Sequence, residues 1–428
     1  MKLCDINNST FKTILLIIII IILNSHIKKI KNHSINVGFF CDSIKNGGVE
    51  RVISLLINYL SKEKNFINHL ITKQRILDGE YLIPNNTKRI SLAEKSISLF
   101  KALKEYHIDV LIYNFYDNSE IKKLNKLKRI KIIYYDHSSF LLWIYQGRTN
   151  FKQTVYYEYK NCECVISLIP LENDYLFKKW GINSILMDNP TTFEFDLVKP
   201  SDLSTKNIIM IGRAEDEIKR YELGILAMKK IIEEIPKCEM NIVSFPEWKY
   251  VRLIYSLSLE EKVRFVGYKE NIEIYLKNSS LHILPSLSEA YPMVLSETKI
   301  FGIPSIICGL DYLALAKEGT VIIYDDNPIT IAKEAIKILR DDLYRKKLGK
   351  ESRNSMKFRQ NSQIAEKWIE LIKAIYKGKG YKFIDTSNKN ISEIESLKIL
   401  NNQLNLLKYR KPYFNYLTLE NLINFTLE

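Results

Sequence analysis

Ser286-Leu-Ser-Glu-Ala-Tyr-Pro-Met-Val-Leu-Ser-Glu-Thr-Lys-Ile-Phe-Gly-Ile-Pro304 is the stretch on which the reading of this chain turns. Apolar runs of strand length flank it, Leu281-His-Ile-Leu284 before and Ile303-Pro-Ser-Ile-Ile-Cys308 after. Between them Pro292 fits the first turn of a helix, where its missing N–H costs nothing, and Gly302 fits the residue just past the end. The unit is therefore strand, loop, helix, strand. Glu289 falls in the loop at the carboxyl end of a strand, and Glu297, eight positions on, points from the second helical turn. The N–H groups of Met293 and Val294 have no partner within such a helix, which suits an anion. A Glu pair on an amphipathic helix is more commonly two solvated side chains. Here the alternative is a site in which carboxylates hold sugar hydroxyls and a helix end holds phosphate oxygens.

Outward from this unit, short apolar runs alternate with helical-period stretches. In the first half, strands are expected at Ile35–Cys41, Phe66–Thr72, Ile108–Tyr113, Lys131–Tyr135 and Glu163–Ile169, with helices at Val49–Ser61, Ser96–His107 and Glu172–Trp180. Asp188-Asn-Pro-Thr-Thr192 breaks the pattern, and little periodicity returns before Lys206. The alternation then restarts with strands at Asn207–Ile211, Met240–Ser244, Lys262–Val266, Ser280–Pro285, Pro304–Cys308 and Val321–Tyr324. Helices are expected at Tyr221–Ile235 and, closing the second unit, Gln363–Tyr376. The fold class is α/β: two Rossmann-like, doubly wound units with a ligand in the cleft between them. The expected divisions are an anchor and basic flank over 1–34, a first domain over 35–190, a linker over 191–206, a second domain over 207–378 and an extension over 379–428.

The chain has 428 residues, enough for two ordinary domains, and its 46% apolar and 26% charged content is that of a globular protein. A net charge of +14 favours an acidic partner such as a nucleotide diphosphate or an anionic lipid surface. Nucleic acid is not expected, because no zinc-finger spacing, RNP-type motif or dense basic tract occurs. Cys162 and Cys164 are separated by one residue without a second pair, so neither a zinc site nor a disulfide framework is indicated. At the N-terminus, Ile14 to Leu23 is an unbroken run of ten Ile and Leu residues flanked by Lys12 and Lys28. That is short for a full span and lacks a small-residue cleavage site, so an uncleaved membrane anchor over residues 11–31 is expected. The flanking charges lean toward a cytosolic-facing catalytic region.

Four further constellations belong with the Glu pair. Gly47-Gly48-Val-Glu-Arg51 follows the first strand and opens the first long helix, allowing close backbone approach of a phosphate; its spacing fits neither a dinucleotide fingerprint nor a P-loop. Arg213 leaves the end of the second unit's first strand and Lys219 precedes the next helix, a pair of cations able to clamp a diphosphate. His137 follows a strand of the first unit and could orient a hydroxyl. Gly267-Tyr268 follows another strand, where exposed backbone could receive a flat base. All of these fall at carboxyl ends of strands. No Asp-x-Asp occurs, so no carboxylate pair for a divalent metal is indicated, and charge neutralisation falls to Arg213, Lys219 and helix ends.

With these residues in hand, the sequence resembles glycosyltransferase family 4, retaining nucleotide-sugar enzymes of GT-B fold, over most of residues 35–378. The resemblance rests on the Gly47-Gly48 element, Gly212-Arg213 with Lys219, Phe265-Val-Gly267 and the Glu289-to-Glu297 signature. It implies that Arg213 and Lys219 hold the donor diphosphate, Glu289 sits beside the donor sugar and Glu297 binds the ribose hydroxyls. It also implies that Met293 and Val294, after Pro292, offer backbone to sugar or phosphate, that Gly48 approaches the diphosphate, and that His137 lies near the transferred sugar. Many members carry Gly or Phe after the first Glu, where this chain has Ala290-Tyr291, and donor identity stays open. The expectation is a metal-independent, cofactor-free hexosyltransferase acting from a nucleotide diphosphate sugar onto a glycan or lipid-linked acceptor. A nucleotide-sugar epimerase and an inactive regulatory member are the competing readings.

Overall fold

The computed structural model describes residues 34–114, 121, 123–124, 127, 129–139, 158–178, 181–379 and 391–410. The expected anchor over residues 11–31 lies outside them. Among the described residues no helix is long and apolar enough to cross a membrane.

The first domain contains β1 (Ile35–Cys41), α1 (Gly48–Leu60), β2 (Phe66–Thr72), β3 (Lys88–Ser91), α2 (Leu92–Lys95), α3 (Leu99–Glu105), β4 (Val110–Tyr113), β5 (Lys131–Tyr135), β6 (Cys164–Ser167), α4 (Pro170–Lys178) and β7 (Ser184–Leu186). The second contains β8 (Ile208–Ile211), α5 (Tyr221–Glu234), β9 (Met240–Val243), α6 (Trp248–Ser256), β10 (Val263–Phe265), α7 (Glu273–Lys277), β11 (Leu281–Leu284), α8 (Met293–Ile300), β12 (Ser305–Cys308), β13 (Thr320–Ile323), α9 (Pro328–Arg340) and α10 (Asp342–Ser355). Helices α11 (Asn361–Tyr376) and α12 (Glu393–Arg410) follow.

Both sheets are parallel, ordered β3-β2-β1-β4-β5-β6-β7 and β10-β9-β8-β11-β12-β13. Helices cover both faces, so the strands read as nearly continuous apolar runs; in β1 every residue but Asn36 is buried. In each sheet the first strand lies inside, and chain direction across the sheet reverses beside it. Such a switch point opens a crevice at the carboxyl ends of the strands, here beyond Cys41 in one sheet and Ile211 in the other.

Two short strands, β3 and β7, escape the sequence reading because four and three residues carry little period-two signal. The expected helix at Ser96–His107 shrinks to α3, capped by the Ser98 hydroxyl on the Lys101 N–H. Pro292 stands one position outside α8 as its N-cap, with extended backbone, while Gly302 does follow the helix end at φ 69°.

Helix α11 departs from its expected place in the second domain. Its buried stripe of Ile364, Trp368, Leu371, Ile372 and Ile375 lies across the first domain against α1. Trp368 packs 5.0 Å from the Tyr135 ring, and Lys373 pairs with Glu63 at 3.1 Å. The stretch between domains is stitched to its approach: Thr191 N–H donates to Asn361 Oδ1 at 2.7 Å, and Arg359 pairs with Asp188. Helix α12, in the extension, packs Leu400 and Leu404 into the main core.

Candidate active site

The facing carboxyl edges of the two sheets enclose a cleft of about 490 Å³ lined from both domains. The helices that open onto it, α1 and α8, carry no side-chain cap, whereas α9 and α10 are capped by Asn327 and Asp341. The first N–H groups of α8 are left without a side-chain partner at the cleft, and the helix dipoles favour negative charge there. At α1 the Glu50 carboxylate folds back across Gly47 and its pKa is raised by burial.

Lys219 and Glu289 form one half of the second-domain wall, Nζ to Oε1 at 2.6 Å, with both side chains mostly buried. Their loops are held together by backbone and salt-bridge contacts. Leu287 N–H donates to Ile218 O at 2.7 Å; Arg220 Nε donates to Pro285 O at 2.7 Å while its guanidinium pairs with Asp326 at 2.7 Å. Glu289 N–H donates to the Tyr312 hydroxyl at 3.1 Å. Arg213 stands freer, 65% exposed in its side chain and 3.8 Å from Asp216.

Glu297 forms the other half. It is 2% exposed, and burial raises its pKa, opposed by a hydrogen bond and a cation. The bond is from Thr192 Oγ1, which donates to Glu297 Oε1 at 2.5 Å. The cation is Arg51, whose Nη1 lies 3.8 Å from the same oxygen and donates to Thr192 Oγ1 at 3.4 Å. Arg51 is fixed in turn over the Tyr81 ring, 5.1 Å from its centre. A carboxylate of the second domain is therefore met by a linker hydroxyl and a first-domain guanidinium.

His137 lines the first-domain wall. Its Nε2 lies 2.9 Å from Asn114 Oδ1, and the Asn114 amide donates to Phe40 O and Ile112 O at 3.3 and 3.2 Å. Those two donations orient the amide with Oδ1 toward the ring, so Nε2 carries the proton and Nδ1 is the acceptor. Burial pushes the imidazole pKa down to about 3, leaving it neutral at physiological pH.

Comparison with known proteins bears on the fold and the class of enzyme. A family model described as glycosyl transferases group 1 matches residues 194–355. The chain is 25% identical over 366 residues to the GalNAc-alpha-(1->4)-GalNAc-alpha-(1->3)-diNAcBac-PP-undecaprenol alpha-1,4-N-acetyl-D-galactosaminyltransferase of Campylobacter jejuni, covering 78% of this chain and 98% of that relative. In fold it is similar to sucrose-phosphate synthase from Thermosynechococcus elongatus, at a TM-score of 0.69 and 17% identity over 80% of this chain and all of that one. It is likewise similar to Anabaena HepE solved with UDP and glucose, at a TM-score of 0.63 and 16% identity over 79% and 99% of the two chains. The chain is a glycosyltransferase. Its two parallel-sheet domains are those of GT-B structures.

Of the residues singled out in the transferase sequence, Gly47, Gly48, His137, Arg213, Lys219, Tyr268, Glu289, Pro292, Met293, Val294 and Glu297 all line the cleft. Gly267 does not; at φ 75° it shapes the turn that presents Tyr268, whose ring stacks on Phe245 at 6.2 Å. Thr192 and Tyr312 were missed, and Arg51 was quoted only as part of the Gly-Gly element. Thr192 sits in a stretch without periodicity, where only the Asp188-to-Thr192 break hinted at it, and Tyr312 sits in a loop after a strand with no signal of its own.

Proposed function

We propose that the enzyme moves a hexose, with retention and without a metal, from a nucleotide diphosphate sugar to a lipid-linked or glycan acceptor. The observation that carries this reading is the split of the two glutamates. Glu289 is paired with a cation beside an open helix end, and Glu297 is buried under a hydroxyl and a guanidinium. Lys219, Arg213 and the first N–H groups of α8 would neutralise the diphosphate and the charge it gains as it departs. Among the described residues no cluster of three His, Cys, Asp or Glu side chains has the arrangement of a metal site. Glu289 would hold hydroxyls of the transferred sugar, Glu297 those of the ribose, and neutral His137 would accept a hydrogen bond from the sugar at Nδ1. The acceptor oxygen attacks the anomeric carbon on the face from which the diphosphate leaves. The C–O bond to phosphate breaks, and the acceptor proton passes to the departing phosphate oxygen.

The lipid-linked alternative is supported by the name of the Campylobacter relative, whose acceptor is an undecaprenol diphosphate glycan. The apolar run Ile14–Leu23 with its flanking lysines would hold the catalytic region at the cytosolic face of a membrane. A donor panel assayed for sugar release and transfer, with and without EDTA, tests the reading. Turnover of one donor class insensitive to EDTA, an unchanged anomeric configuration by NMR, and its loss in Glu289→Ala are expected. Absence of both binding and turnover with every donor would refute it.

A further inference from the structure

Helix α12 belongs to the extension that the sequence leaves without a role, and the matched family model ends well before it, at residue 355. In the fold it lies over the loop that follows β12. Gln403 is 1% exposed and spends both amide hydrogens on that loop, donating to Gly309 O at 2.6 Å and to Asp311 Oδ1 at 2.8 Å. Asn402 donates to Asp311 Oδ2 at 2.9 Å, and the Tyr324 hydroxyl donates to the same oxygen at 3.2 Å. The next residue is Tyr312, 2% exposed, whose hydroxyl accepts the Glu289 N–H at 3.1 Å and lies 3.5 Å from Ser288 Oγ. Leu400 and Leu404 of α12 share a core with Tyr312 and Leu313, and Lys317 pairs with Glu395 at 2.5 Å near the start of the helix.

We propose that α12 is a positioning element of the active site: Gln403 and Asn402 hold Asp311, and through the adjoining Tyr312 they fix the backbone that presents Glu289. The physical reason lies in the loop. The β12–β13 ladder ends at Gly309, whose N–H donates to Ile323 O at 2.8 Å, so beyond it the place of Asp311 and Tyr312 depends on what packs and bonds above them. A hydroxyl anchored there fixes the Glu289 backbone as firmly as the loop itself is fixed. Lys219 fixes the carboxylate end, so the residue is held from two sides. A misplacement of about 1 Å at such a residue costs on the order of a hundredfold in rate.

This inference rests on the role given to Glu289 above, and the test separates the two. In the full chain, Gln403→Leu and Tyr312→Phe are each expected to lower kcat tenfold or more, to about that order. The Kd for the nucleoside diphosphate without sugar is expected to stay within about twofold, because that ligand meets Lys219, Arg213 and helix ends rather than Glu289. The double variant is expected to lose little more than the worse single one, since both act through one chain of contacts. Asn402→Ala, at a half-buried surface position, gives a smaller loss of the same kind and stands in if Gln403→Leu does not fold. A folded Gln403→Leu with unchanged kcat, a nucleoside diphosphate Kd weakened as much as kcat, or additive losses would each overturn the proposal. Glu289→Gln is the control: full turnover there overturns both readings, whereas lost turnover there with unchanged Gln403→Leu overturns only the role of α12.

Discussion

Thr192→Val tests the most specific consequence of the site. The substitution keeps shape and removes one hydroxyl, the one that donates to Glu297 Oε1 at 2.5 Å and accepts from Arg51 at 3.4 Å. A hydrogen bond to a charged group contributes about 1.5–3 kcal/mol. Its loss raises the Glu297 pKa further, beyond the rise that burial already causes. If the ionised carboxylate accepts ribose hydroxyls, donor affinity falls as pH drops through that pKa. The assay is Kd of an intact nucleotide sugar by calorimetry between about pH 5 and 9. An intact nucleotide sugar is the ligand of choice because its diphosphate, esterified at both ends, does not titrate there. The variant's loss of affinity should set in at a higher pH than the wild type's, with the two converging at alkaline pH. An unmoved midpoint, or a constant deficit at every pH, would refute the reasoning and leave only a packing effect. The sign for stability runs the other way: a carboxylate whose folded pKa is raised costs stability as pH rises through that value, so Thr192→Val steepens the loss.

Three further substitutions separate binding from folding. At Gly48 an added Cβ meets only Met293 Cγ, at 4.0 Å, so Gly48→Ala should leave the melting temperature unchanged while weakening donor Kd about tenfold, by filling the approach to the α1 end. At Gly319, φ is 67° and a Cβ would lie 2.4 Å from Leu348 O, so Gly319→Ala should cost about 2–4 kcal/mol in denaturant unfolding with donor Kd of the folded fraction unchanged. Lys299 is fully buried with its amine on Glu318 O, and burial pushes its pKa down from 10.5 to about 7, a difference of about 5 kcal/mol. Below pH 7 that cost is fully present and it is relieved as pH rises toward 10.5, so Lys299→Met should stabilise by a few kcal/mol near pH 6. The gain should shrink steadily to pH 10; a gain independent of pH would contradict it.

The strand series was legible because buried parallel strands are apolar without interruption, and β1, β2 and β5 fall where Ile35–Cys41, Phe66–Thr72 and Lys131–Tyr135 were read. The polar half of the site was legible for a related reason. Glu289, Arg213 and Lys219 each follow such a run, and the carboxyl ends of parallel strands must face one crevice. Contacts between segments far apart in sequence were not legible. Nothing local ties Thr192 to Glu297, 105 positions away, or Gln403 to Gly309, 94 positions away. Helix α11 shows the same limit: its apolar stripe was visible at Ile364, Trp368, Leu371 and Ile375, but periodicity says that a face is buried and not which domain buries it.

Burial gives the two glutamates different electrostatic problems, and the fold answers them differently. Glu289 is compensated from within its own domain by Lys219 and by a backbone N–H fixed to Tyr312, so that half-site exists whatever the first domain does. Glu297 has its compensation from elsewhere: Thr192 comes from the stretch between domains and Arg51 from α1. Removing both contributions leaves a buried carboxylate whose charge is opposed by desolvation alone, at a cost of several kcal/mol. The charge state of Glu297 is therefore tied to the approach of the domains. A ribose whose hydroxyls donate to that carboxylate adds to the same balance, favouring the ionised form and with it the joined arrangement. Under the proposed roles, a nucleotide that donates to Glu297 would favour the arrangement in which Thr192 and Arg51 already meet that carboxylate. The pair of glutamates eight residues apart differs in this sense: one is compensated from within its own domain, and the other only where the interdomain stretch and the first domain meet it.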